Sequence, residues 1–219
     1  MARAEAELSA EITSGLVRRC RGLALILLFA LVAAGCASAP PRNMESSCAI
    51  FEEYGSWYSA TKAVQERYGV PQHVQLAIVH QESKFESEAK TPRRKLLGFI
   101  PWFRQSSAYG YAQVKDETWD WYLEKSGHHG ADRDDFGDAV EFIGWYGDYT
   151  HRTLGISKWD PYNLYLAYHE GPGGYAKKTY LQKPWLVEVA RKVKARAERY
   201  GSQLKGCRDD LEGPWWWPF

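Results

Sequence analysis

Charge of one sign, cysteine, methionine and long apolar runs are all scarce in this chain. Lysine and arginine total 28 against 27 aspartates and glutamates, a formal net charge of +1 over 219 residues. That balance argues against a nucleic-acid partner, which calls for a strongly basic surface. There are four cysteines. Neither Cys48 nor Cys207 has a cysteine or histidine at ligand spacing, so no metal is expected and no cofactor is implied. The apolar run at residues 22–35 is short of the roughly 20 residues that span a bilayer. No sustained alternation of the strand type and no repeat period occur, which excludes a sheet-based or solenoid architecture.

What is present begins with an address. Arg18, Arg19 and Arg21 precede the run at 22–35, whose length suits the core of a secretory signal of about 7–15 residues. The run ends in Ala33-Ala34-Gly35-Cys36, which resembles the bacterial lipobox. The resemblance implies lipidation of Cys36, which becomes the new N-terminus; ordinary cleavage near Ala39 is the alternative. Ala37 is not the aspartate that would hold such a protein at the inner membrane, so the expected location is the periplasmic side of the cell envelope, lipid-anchored at the outer membrane. Acyl chains contribute about 0.8 kcal/mol per buried CH₂ to such anchoring.

The organisation expected is a signal at 1–35, a lipidated spacer at 36–45 with Pro40 and Pro41, a single domain at 46–208, and an aromatic tail at 209–219. The tail carries Trp215, Trp216, Trp217 and Phe219, and packs on the domain, touches a membrane interface or lies loose. Cys20 leaves with the signal. Cys48 and Cys207 remain as a pair in an oxidising compartment, either bridged or as two buried thiols. A bridge would close a loop of ~160 residues, for which chain entropy gives about 5 kcal/mol.

The domain reads as all-α. Ser46 or Ser47 caps a first helix that runs to about Tyr68 and is closed by Gly69. Pro71 opens a second, with Val74, Ala77, Ile78 and Gln81 on one face. Residues 86–109, rich in Lys, Arg and Pro, form a long irregular part, either a solvated basic excursion or a flap over a cleft. Asp116 caps a helix bearing Trp119 and Trp121, and Asp134 or Asp135 caps another ending near Leu154. Asp160-Pro161 starts a helix that Gly171-Pro172-Gly173-Gly174 ends. A last amphipathic helix from Pro184 buries Leu186, Val189, Val193 and Ala197 and exposes Arg191, Lys192, Lys194, Arg196 and Arg199.

Chemistry is concentrated in three distant stretches: Glu82-Ser83, Gly110-Tyr111-Ala112-Gln113, and Ala167-Tyr168-His169-Glu170-Gly171. Glu82 follows Leu76-Ala77-Ile78-Val79 and precedes Phe85, near the C-terminal end of a helix. Burial and the negative end of the helix dipole both disfavour its ionised form. At a pKa of about 4.3 a carboxyl group is about 0.2% protonated at pH 7; at about 6 it is near 10%. Such a shift turns a base into a usable acid. Read alone, Glu82 is equally a helix-end residue paired with Lys84, Gln113 a surface residue and Tyr168 a core aromatic. Glu86 and Glu88 have polar surroundings. His73, His80, His128 and His129 suit packing or surface positions better than a metal site.

In this order the three stretches resemble the lytic transglycosylase domain of the soluble-lytic-transglycosylase type, over roughly 70–180. The resemblance implies a lysozyme-like helical domain of the goose type with an active-site cleft, acting on peptidoglycan glycan strands. It makes Glu82 the single catalytic acid and then base, cutting the MurNAc–GlcNAc β-1,4 bond to leave 1,6-anhydro-MurNAc ends. Ser83 and Gln113 match residues that orient the muramic sugar, and Tyr168 matches the tyrosine that hydrogen-bonds the catalytic carboxyl. His169 stands where the family has asparagine and Ala112 where it has methionine. Glu170 adds a carboxyl group. Tyr111, with Trp102, Tyr109 and Tyr175, flanks the site and covers sugar faces or packs in the core. Two rivals remain: a lysozyme-like hydrolase with Glu170 as second carboxylate, and a non-catalytic wall-binding lipoprotein.

Overall fold

The computed structural model describes residues 39–96, 100–104 and 106–213, and of 94–104 the backbone alone. Cys36 and the aromatic segment 215–219 lie outside the described residues. Seven α-helices carry the domain among these: α1 Ser47–Glu53, α2 Gly55–Tyr68, α3 Gln72–Ser83, α4 Asp116–Ser126, α5 Phe136–Leu154, α6 Pro161–Ala176 and α7 Pro184–Glu212, with a 3₁₀ turn at Thr179–Gln182. No helix among the described residues is long and apolar enough to cross a membrane.

Capping chemistry explains most of the boundaries. The Ser46 side chain accepts from the Ala49 N–H, Asp135 from Asp138 and Asp160 from Asn163, each satisfying a donor left orphaned in a first turn. Gly69, Gly127 and Gly155 close α2, α4 and α5 in the left-handed conformation that glycine adopts without steric cost. Two boundaries depart from the sequence reading. The helix expected from residue 46 to 68 is two, broken at Tyr54, whose backbone (φ −125°, ψ 75°) leaves the helical region. Asp116 is the first residue of α4 rather than its cap, which is Lys115.

The excursion at 86–109 is not wholly irregular. Strand β1, Arg93–Leu96, pairs antiparallel with β2, Ile100–Arg104, with a register shift between Arg93 and Lys95. The segment is tied at its root, where Lys90 bridges Tyr109 and the Gly110 N–H reaches the Ala89 carbonyl at 3.0 Å. Strands of four and five residues with a bulge are too short and irregular to show the alternation by which strands are recognised.

At the centre, the Trp57 ring stacks on Phe136 at 3.9 Å, with Phe85 and Tyr111 against them. Gly144 of α5 allows α2 to approach closely, since a Cβ there would lie 2.3 Å from Cγ1 of Val64. Helix α7 buries Leu186, Ala190, Val193, Ala197, Tyr200 and Leu204, a stripe at alternating steps of four and three. Its basic face is not left wholly to solvent. Glu45 takes Arg196 at 2.7 Å and pairs with Arg199, and the Tyr200 hydroxyl donates to the Met44 carbonyl.

Cys48 and Cys207 form a disulfide across a sequence separation of 159. The bridge therefore pins α1 to the late part of α7, beside the hydrogen bond from the Ser47 hydroxyl to the Tyr200 carbonyl at 3.0 Å. Of the two states open to these cysteines, the bridged one is present.

Candidate active site

Helix α3 delivers Glu82 to its last turn, where unpaired carbonyls oppose a negative side chain. The chain then turns through two consecutive left-handed residues, Lys84 (φ 52°) and Phe85 (φ 63°), and Phe85 is driven into the core. Glu82 lines a cavity of about 450 Å³, within the usual range for ligand sites. Its apolar wall is Val114, Phe142 and Tyr146; its polar side holds Ser106, Gln113, Thr118, Tyr168, His169 and Glu170.

Burial pushes the Glu82 carboxyl up to about 7, against the opposing pull of a hydrogen bond with the Tyr165 hydroxyl. Tyr165 itself is raised by burial and then by the proximity of Glu82. Tyr168 is likewise raised well above the ordinary phenol value, first by burial and then by Glu82. Both phenols stay protonated donors beside a carboxyl group that is about half protonated at pH 7.

The second stretch is a tight turn. Gly110 (φ 78°) has no room for a side chain, since a Cβ would lie 1.9 Å from the Arg133 carbonyl oxygen. Gln113 also adopts a left-handed backbone (φ 49°), a conformation that costs about 1–3 kcal/mol for a non-glycine residue. The turn aims the Gln113 side chain into the cavity. Its amide nitrogen donates to the carbonyls of Ala89 and Gly110 at 2.8 and 2.9 Å, so its oxygen is what it can offer a ligand.

The third stretch depends on a kink. As the sequence indicates, the helix that starts at Pro161 ends at the glycine bend: Gly171 (φ 70°, ψ 162°) is non-helical and divides α6 into two helical pieces, the second beginning at Pro172. Just before the kink, Tyr168, His169 and Glu170 reach the cavity. The Glu170 side chain is only 3% exposed. Burial would raise its pKa, but Lys183 at 2.7 Å, Thr179 and His169 at 3.1 Å outweigh that and hold it at about 2.

Glu82, Gln113, Tyr168 and His169, picked from separate parts of the sequence, thus converge on one cavity. Tyr111 does not. It is fully buried, edge-on to Trp57 and Phe136, because the turn that points residue 113 into the cavity points residue 111 into the core. Ser83 is also turned away: its buried hydroxyl donates to the Val79 carbonyl at 3.2 Å, one step round the helix from the face carrying Glu82. Nor does the Tyr168 hydroxyl bond the carboxyl group; it donates to the Ala112 carbonyl at 2.6 Å. Tyr165 makes that bond instead, a residue the sequence reading did not single out although it lies one turn before Tyr168 on the same helix face. Phe142 and Tyr146 were missed too; their i, i+4 spacing on α5 reads equally as core. Tyr109 is engaged outside the cavity, its hydroxyl donating to Asp134 at 2.8 Å, and Tyr175 bonds Asn163. Among the described residues no cluster of His, Cys, Asp and Glu is arranged to hold a metal ion.

Residues 24–207 match the family model described as Transglycosylase SLT domain. The chain belongs to this family. No curated protein gives a significant match to it. The match takes in all three stretches and the helices that carry them, so the cavity is the transglycosylase domain's own, the fold is the lysozyme-like helical one, and a transglycosylase-type activity on peptidoglycan follows from membership.

The shifted carboxyl group has a measurable consequence for the transglycosylase fold. Its pKa is higher folded (about 7) than unfolded (4.5), so the folded state holds the proton more tightly. Stability is therefore intact below about pH 4.5 and falls as pH rises to about 7, where the ionised group costs about 3 kcal/mol at most. Glu82→Gln should then be more stable than the parent by about 1–3 kcal/mol at about pH 8, and close to it at about pH 4. Urea unfolding at the two pH values checks this; a gap that does not grow with pH contradicts it.

Proposed function

We propose that this protein is a peptidoglycan lytic transglycosylase that cleaves the MurNAc–GlcNAc β-1,4 bond and leaves 1,6-anhydro-MurNAc ends, with Glu82 as its single catalytic acid and base. The observation that carries the reading is one carboxyl group with a pKa of about 7, on a cavity whose other carboxylate is already taken. Glu82 in its protonated form gives its proton to the bridging oxygen as the C1–O bond breaks. The substrate's acetamido oxygen stabilises the cationic C1. Glu82, now ionised, takes the proton of the muramic C6 hydroxyl as that oxygen bonds to C1, and so returns to its starting state. The intramolecular nucleophile removes the need for a positioned water and for a second carboxylate. A pKa near the working pH suits a group that must both give and take a proton.

In this scheme the Gln113 amide oxygen and the His169 ring orient the muramic sugar, and Tyr165 holds the carboxyl group in place. Tyr168 fixes the Gln113 turn through its bond to the Ala112 carbonyl and lines the cavity. Glu170 fits the role of second carboxylate poorly, because its three donors keep it ionised and occupied. Digestion of purified peptidoglycan followed by mass analysis of the released ends should give anhydro ends, and Glu82→Gln should reduce release at least about 10³-fold. Reducing ends in place of anhydro ends would identify a hydrolase, and no release a binding protein.

We further propose that Cys36 carries a lipid that holds the enzyme on the periplasmic face of the outer membrane, on the strength of the lipobox-like Ala33-Ala34-Gly35-Cys36. Cells fed labelled palmitate should label the parent chain and not Cys36→Ala. Equal labelling of both would refute the anchor.

A further inference from the structure

A second concavity, of about 510 Å³, shares no residue with the Glu82 cleft. His73, on its lining, stands at the start of α3 and Glu82 at the end, nine residues and roughly 14 Å of helical rise apart. The other helices repeat this division. Trp159, in the groove, immediately precedes α6, whose later part carries Tyr168 and His169. Gly201 to Arg208 belong to the late part of α7, whose first turn places Trp185 beside His169. Three helices therefore turn one end to the cleft and the other to the groove.

The groove has a distinct chemistry. Its floor is the His73 ring, seated so closely on Gly201 that a Cβ there would lie 3.2 Å away. Burial, then Lys205 and Arg208, hold His73 down at about 4, so it is neutral at physiological pH. Beside it stands the Trp159 indole, 5.7 Å from the His73 ring and 66% exposed. Lys205 and Arg208 occupy successive turns of α7 on the lining, and no ion pair within 4.0 Å engages either among the described residues. The groove's one acid, Glu198, is directed to Lys194 at 3.8 Å. Glu212, which acts on Arg208 from further off, is held by Lys62 at 2.8 Å.

An open aromatic face beside two cations without acidic partners fits a ligand that joins a sugar ring to carboxylates. We propose that this groove is a second, non-catalytic peptidoglycan site, which takes the apolar face of a sugar on Trp159 and stem-peptide carboxylates on Lys205 and Arg208. The assignment of the polymer rests on the function proposed above; the assignment of the groove rests on its own residues. Its use would be avidity. A strand held at the far end of the domain keeps the cleft at high effective concentration over an insoluble substrate without a new catalytic contact.

The test is co-sedimentation of the full chain with whole sacculi, in a Glu82→Gln background so that the polymer is not consumed. Adding Trp159→Ala, Lys205→Ser and Arg208→Ser should weaken binding about tenfold or more, and added salt should narrow the difference. With Glu82 intact, the same three changes should leave turnover of short soluble muropeptide fragments unchanged, since those need only the cleft. On strands stripped of stem peptides the part of the parent's advantage that Lys205→Ser and Arg208→Ser remove should vanish, while the part that Trp159→Ala removes should remain. Trp159→Ala alone is a second variant that cannot disturb the core, given its exposure, and should weaken sacculus binding by itself.

Undiminished binding by the groove variants overturns the proposal, as does an effect of Lys205→Ser and Arg208→Ser that persists on stripped strands. So does a finding that Trp159→Ala destabilises the chain as much as deleting 214–219, with the two changes together doing no more, because the groove would then house the chain's own tail. Failure of the parent to release anhydro ends is a different result. It strikes at the reaction and not at the groove.

Discussion

A carboxyl group kept from water at the negative end of a helix is a burden on the fold, and the rest of this domain is arranged around carrying it. Glu82 occupies the last turn of α3, faces a cavity with one apolar wall, and is met by a phenol rather than by a cation. A lysine or arginine in the place of Tyr165 would stabilise the ionised form and lower its pKa, giving a base with no proton to donate. A phenol compensates the desolvation only in part. The result is a group poised near neutrality, at the expense of stability in the same pH range.

The cleft shows how two carboxyl groups in one cavity are driven apart in character. Glu170 has little exposed side-chain surface but lies far less deep than Glu82, and Lys183, Thr179 and His169 donate to it, so it stays ionised at about 2. Depth of burial and ionic partners together separate the two. Glu170 therefore reads as a brace: it ties the kinked end of α6 to the residues leading into α7, and so fixes where Tyr168 and His169 stand. The brace and the left-handed Gln113 turn are both unfavourable or over-determined local features next to Glu82; such features concentrate at functional sites. Behind them the Cys48–Cys207 bridge and the Glu45 clamp on Arg196 and Arg199 fasten the start of the domain to α7.

The sequence made the helical scaffold legible wherever a helix end has local chemistry. Ser46, Asp135, Asp160 and the closing glycines act within a turn of their own position, so their meaning is visible without a structure. The break at Tyr54 and the pairing of β1 with β2 are decided by packing and by contacts between short segments. The site divides in the same way. That Glu82, Gln113 and Tyr168 share a cavity could be expected from the order of their motifs. That Tyr111 faces the core, that Ser83 bonds its own helix, and that Tyr165 rather than Tyr168 meets the carboxyl group depend on which way one turn and one helix face point. Membership of the transglycosylase SLT family carries the general activity; it does not carry these choices.

The central claim is that the Glu82 carboxyl group bears its proton up to neutral pH in the folded chain. The most direct measurement is a carbon-13 NMR titration of the full chain labelled at glutamate side-chain carboxyls, with the Glu82 resonance assigned by its loss in Glu82→Gln. The account predicts a midpoint near 7. A midpoint near the ordinary glutamate value of about 4.3 would contradict it and remove the basis for the acid proposed above.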